Sequence, residues 1–146
     1  MSKMIFVNLP VADVARSTAF YEAIGFEKNA QFSNESASCM VWSDAIYIMI
    51  LGRDFYRTFI PHKEIADSGR TNEVLICLSR DSRGDVDAIA EAAAGAGGRA
   101  DVRPVQDMGF MYSRAFHDPD GHGYGPFFMD PDAAREAFAA GEQQPA

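Results

Sequence analysis

Phe116-His117-Asp118-Pro119-Asp120-Gly121-His122-Gly123-Tyr124-Gly125-Pro126-Phe127-Phe128-Met129 decides how this chain is read. Asp-Pro-Asp-Gly is a turn signal, with proline and glycine supplying the backbone angles that a reversal needs. It separates a strand expected over Phe110–His117 from one expected over Tyr124–Met129. Within the second strand, Gly123-x-Gly125-Pro126 interrupts the regularity, because proline removes a donor and glycine a side chain. A bulge or an enlarged cavity is expected there. His117 and His122 flank the turn and read as a solvated pair at the hairpin end.

Working outward, the same order of elements occurs twice. Ile5, Val7, Leu9 and Val11 alternate with Phe6, Asn8 and Pro10 in a first strand. Asp13 caps a helix to about Ile24, which Gly25 ends in a left-handed residue while Phe26 folds back onto Tyr21. Strands over Glu27–Ser33, Ala37–Ser43 and Ala45–Leu51 complete a βαβββ unit. The second unit runs from a strand at Glu73–Ser79 through a helix capped by Ser82 and closed by Gly97-Gly98. Strands near Ala100–Gln106, Phe110–His117 and Tyr124–Met129 follow. The fold class is therefore α+β, two tandem βαβββ modules in one domain spanning 1–146. Module one covers about 4–52, a connector 53–71, module two about 72–130 and a C-terminal helix about 131–140. The connector is long enough to serve as a lid or a partner contact.

Composition narrows the partners. Thirteen basic against twenty-one acidic residues give a net charge of -8, which excludes nucleic acid as a natural partner. No apolar run is long enough for a membrane span and no signal segment opens the chain, so a cytoplasmic protein is expected. Cys39 and Cys77 lie far apart inside strands without a CxxC spacing, and read as buried, reduced core thiols.

These motifs resemble those of the vicinal oxygen chelate superfamily, which includes glyoxalase I, extradiol dioxygenases and bleomycin-resistance proteins. The resemblance rests on the Asp-Pro-Asp-Gly hairpin, on Val7-Asn8-Leu9-Pro10-Val11-Ala12-Asp13, and on Phe20-Tyr21-Glu22-Ala23-Ile24-Gly25-Phe26. It is greatest to predicted lactoylglutathione lyase-like proteins. It implies a curved mixed sheet around a cavity, in which four strands each contribute one metal ligand. The corresponding positions here are Asn8, Met49, Glu73 and Gly125.

That set offers an amide, a thioether, one carboxylate and no side chain at all. Catalytic zinc usually keeps three nitrogen, oxygen or thiolate donors, so no tightly bound cofactor is expected and a divalent metal is disfavoured. Glu73 is the candidate catalytic residue, a base whose proton affinity an apolar cavity would raise. Asn8, Trp42, Tyr47, Met49, Gly125 and Phe127 are the candidate binding residues, and the aromatics among them suit an apolar ligand. His62 in the connector joins them only if that loop folds inward. Two functions follow: a lyase-like enzyme acting on a small carbonyl compound or thiol adduct, or a non-catalytic protein that sequesters a small molecule. Ring cleavage fits less well, since it calls for two histidines and a carboxylate on iron. A homodimer is expected on the family pattern.

Overall fold

The computed structural model describes residues 3–141. Strand β1 (Ile5–Val11) leads to helix α1 (Val14–Ala23), whose first turn is capped by the Asp13 side chain accepting from Arg16 N. Gly25 ends the helix at φ +112°, and Phe26 returns to meet Tyr21 edge-on at 5.3 Å. Strands β2 (Glu27–Asn29), β3 (Ala37–Val41) and β4 (Ile46–Gly52) complete the module in the order β1-β4-β3-β2, with β1 parallel to β4. The second expected strand stops at Asn29, whose side chain accepts from Gln31 N and opens a short 3-10 turn instead.

Helix α2 (Arg53–Arg57) opens the connector. Module two then holds β5 (Leu75–Ile76), α3 (Arg83–Gly95), β6 (Arg99–Ala100), β7 (Gln106–Asp107), β8 (Met111–Ser113), β9 (Phe116–His117), β10 (Gly123–Tyr124) and β11 (Phe127–Met129), followed by α4 (Pro131–Ala139). Ser82 caps α3 by accepting from Asp85 N. The strands are shorter than expected, and each long run is split in two. Pro126 has no N–H to donate between β10 and β11, and Pro104 interrupts the run between β6 and β7. Two sheets result, β5-β10-β9-β6 and β11-β8-β7. The first has the same order as module one when β5, β10, β9 and β6 are matched with β1, β4, β3 and β2.

One apolar core lies between the helices and both modules. Phe20, Tyr21 and Ile24 of α1 meet Val11, Met40, Ile48 and Ile50, and the same cluster continues through Ile89, Ala93, Phe116 and Tyr124 of module two. Val7, Leu9, Ile76 and Leu78 pack on this helix-covered side as alternation requires. Ile5, at the start of β1, and Val74, just before β5, are each 55% exposed. Cys39 is buried, but Cys77 is exposed: its strand position faces away from α3, onto the uncovered side of the sheet. Behind module two, the 8% exposed Arg114 is held by Asp87, Glu91 and Asp101 at 2.8–3.2 Å. Among the described residues no helix is long and apolar enough to cross a membrane.

Candidate functional site

The Asp118–Gly121 turn joins the two modules. Asp118 is 3% exposed and accepts from the backbone N–H groups of Asp120 and His122, both at 2.9 Å. Its other oxygen accepts from the Tyr21 hydroxyl of α1 at 2.8 Å, and Tyr21 is also 2.8 Å from the Tyr124 hydroxyl. Burial pushes the Asp118 carboxyl up from its ordinary range, while His122 and the Tyr21 hydroxyl pull it back. The Tyr21 phenol is driven well above its usual value by burial, then by Tyr124 and Asp118. Asp120 accepts from Ala12 N at 2.9 Å and Ser17 Oγ at 3.3 Å, at the start of α1. Its carbonyl accepts from Ser68 of the connector at 2.6 Å. Gly121 stands at φ +93°, and a Cβ there would lie 2.5 Å from the Ser68 carbonyl oxygen. Only glycine fits.

This clasp closes one end of a cleft of about 410 Å³ between the edge strands β1 and β5. Val7, Asn8, Leu9 and Pro10 form one wall, and Glu73, Val74 and Ile76 the other. The connector folds over both with Tyr56, Ile60 and Ala66. His122 lines the cleft and sits with Nε2 2.7 Å from the Pro10 carbonyl. A carbonyl only accepts, so Nε2 donates in this contact. Asn8 donates from Nδ2 to the Phe6 carbonyl at 3.2 Å, which leaves its Oδ1 for a ligand.

Of the residues named from sequence, Asn8 and Glu73 line this cleft. Glu73 is exposed, so the desolvation expected around it is lacking. Met49 pairs directly with Asn8, and Tyr47 stacks on Phe6 at 4.3 Å, but neither lines the cleft. Trp42 lies on the helix-covered face, 4.9 Å from Phe26 and under the Arg80 guanidinium at 5.1 Å. Phe127 packs on Phe110, Met111, Ala134 and Ala137 beneath α4. Gly125 is buried, and a Cβ there would lie 3.2 Å from Cys77 Sγ and 3.1 Å from Arg103 Nη2. His62 is exposed and stays outside the cleft although its loop folds over it.

The residues at the four family positions do not fit a divalent ion. The pairing of Gly123 with Leu75 runs on to set Gly125 beside Cys77, four residues along from Glu73, so these positions do not converge. Among the described residues no group of three histidine, cysteine, aspartate or glutamate side chains comes together as a ligand set. Sequence reasoning missed His122 and Arg103. Both gain their surroundings from residues distant in sequence, and no local pattern signals that.

Comparison with known proteins gives the class. Residues 3–43 match the family model of the bleomycin resistance protein-like N-terminal region. The fold is similar to that of hypothetical protein SA1046 from S. aureus, 23% identical with a TM-score of 0.72, over 88% of this chain and 94% of that one. A glyoxalase/bleomycin resistance protein/dioxygenase family enzyme from Burkholderia phytofirmans PsJN is 16% identical with a TM-score of 0.73, over 88% and 99%. The fosfomycin resistance protein FosX from Listeria monocytogenes is 21% identical with a TM-score of 0.61, over 88% and 91%. No curated protein matches the sequence. The fold is shared with solved structures named glyoxalase/bleomycin resistance proteins, and residues 3–43 carry the sequence pattern of a bleomycin resistance protein-like N-terminal region.

Proposed function

We propose that the protein binds a small, largely apolar molecule in the cleft between its modules and sequesters it without chemistry. The observation that carries this reading is the cleft, walled by both modules and roofed by the connector. Its volume of about 410 Å³ falls among ligand sites of roughly 300–1,000 Å³. Val7, Leu9, Ile60 and Ile76 supply apolar area, while Asn8, Glu73 and His122 supply polar groups that orient a ligand. Similar structures named for bleomycin and fosfomycin resistance support a small-molecule ligand. The test uses Ala66→Trp, since Ala66 is exposed and its replacement fills the cleft without disturbing the core. A ligand found by thermal-shift screening should bind this variant about tenfold or more weakly. Undiminished affinity refutes the cleft as the site.

One observation favours a second reading. Asn8 and Glu73 share the cleft, which supports a lyase-like reaction on a small carbonyl compound or thiol adduct with Glu73 as base and no tightly held metal. On that reading Glu73→Gln lowers turnover by about a hundredfold. Intact turnover removes it. A homodimer accompanies either reading, because Phe6, Phe59 and Leu75 are 47%, 63% and 63% exposed. Sedimentation at micromolar concentration as a 16.0 kDa monomer rules it out.

A further inference from the structure

We infer that Arg103 forms an oxyanion subsite on the uncovered face of module two, beside Gly125. Two residues fill the space a side chain at Gly125 would take: Arg103 Nη2, 3.1 Å from the Cβ position, and Cys77 Sγ, at 3.2 Å. The space beside Gly125 is thus lined by a cation and a thiol.

The guanidinium is poorly satisfied. Five of the ten arginines have a carboxylate within 4.0 Å, Arg16, Arg57, Arg83, Arg114 and Arg135, and among the described residues Arg53, Arg70, Arg80 and Arg99 have none. Among the described residues Arg103 has none. Its hydrogen bond is a long one, from Nη2 to Ser113 Oγ at 3.5 Å. Its Nη1 is closed off from solvent and has no partner. A buried, unpaired charged donor is costly, and twenty-one acidic residues were available to relieve it. None of the described ones does.

The missing counter-charge therefore comes from outside the chain. Arg103 is only half-buried and Cys77 next to it is exposed, so an anion reaches the pair from the open side of the sheet. The planar fork of a guanidinium matches the oxygens of carboxylate and phosphate groups, which sets the ligand class. Gly123, two residues earlier on the same run, lines the cleft. A ligand with an apolar body and an oxyanion tail would span cleft and subsite. The subsite nevertheless stands on Arg103 and Gly125 alone, and its test does not involve the cleft.

Inorganic phosphate and acetate are titrated separately at fixed ionic strength, and the melting temperature is followed for the wild-type chain, Arg103→Met and Gly125→Glu. Either anion at saturation should raise the wild-type Tm by about 3 °C, and the one with the larger effect identifies the tail. Arg103→Met should lose that response. Gly125→Glu, whose Cβ would press on Arg103 Nη2 and Cys77 Sγ, should also lose the response to added anion. Carbamidomethylation of Cys77, the exposed one of the two thiols, gives a local readout: bound anion should slow it in the wild type and not in Arg103→Met. No rise for either anion, an equal rise in Arg103→Met, or unprotected Cys77 overturns the inference.

Discussion

Tyr21 in α1 and Asp118 in the last turn, 97 residues apart, share a 2.8 Å hydrogen bond at the junction of the modules. The carboxylate belongs to module two and, among the described residues, its only side-chain hydroxyl donor to module one. The motif by which the sequence was first read thus owes its place in the fold to docking as much as to chain reversal.

Tyr21→Phe removes that donor and leaves Asp118 buried with backbone partners only. Denaturant unfolding should show a loss of about 1–3 kcal/mol, the scale of an unsatisfied buried group. A loss below a few tenths of a kcal/mol, with the slope unchanged, would mean that the hydroxyl does not hold the turn.

The same carboxyl should leave a trace in the pH dependence of stability. Its folded value is raised by burial, so the native state holds the proton more tightly than the unfolded chain does. The contribution of Asp118 is then most favourable below its unfolded value and declines as pH rises through the folded one. Asp107 behaves oppositely: Arg83 holds it down at about 2, and its stabilisation fades only as pH falls toward that value. Subtracting the profile of Asp118→Asn from that of the wild type isolates the first effect. The difference should fall with rising pH above the ordinary carboxyl range, and a flat or rising difference contradicts the assignment.

Gly121→Ala forces a side chain to φ +93° and against the Ser68 carbonyl. The strain of a positive φ and the displaced connector together should cost about 1–3 kcal/mol. Cleft ligands should bind more weakly as well, since Ser68 belongs to the cleft lining. An unchanged urea midpoint would show that the connector does not press on the turn.

Local chemistry made much of this legible. Asp13 and Ser82 announce their helices because capping needs only residues within one turn. Trp42 shows the limit of reading by residue type. It shares parity with Ser38 and Met40, whose pairing with Ile50 and Ile48 turns all three toward the helices. The breaks at Pro104 and Pro126 were visible as prolines, but not as a division of the sheet, which depends on neighbouring strands. His122 and Arg103 were hidden for a stronger reason. Their roles arise from Pro10, Ser113 and Gly125, which only tertiary contact brings near.

The shared core and the shared carboxylate bear on how the molecule comes apart. A duplicated chain invites the picture of two half-proteins joined by a tether, each able to melt alone. Here Phe20 and Tyr21 pack on Phe116 and Tyr124, so opening either half strips apolar cover from the other and breaks the Tyr21–Asp118 hydrogen bond. The repeat is one of element order. The chain should therefore unfold in one cooperative transition.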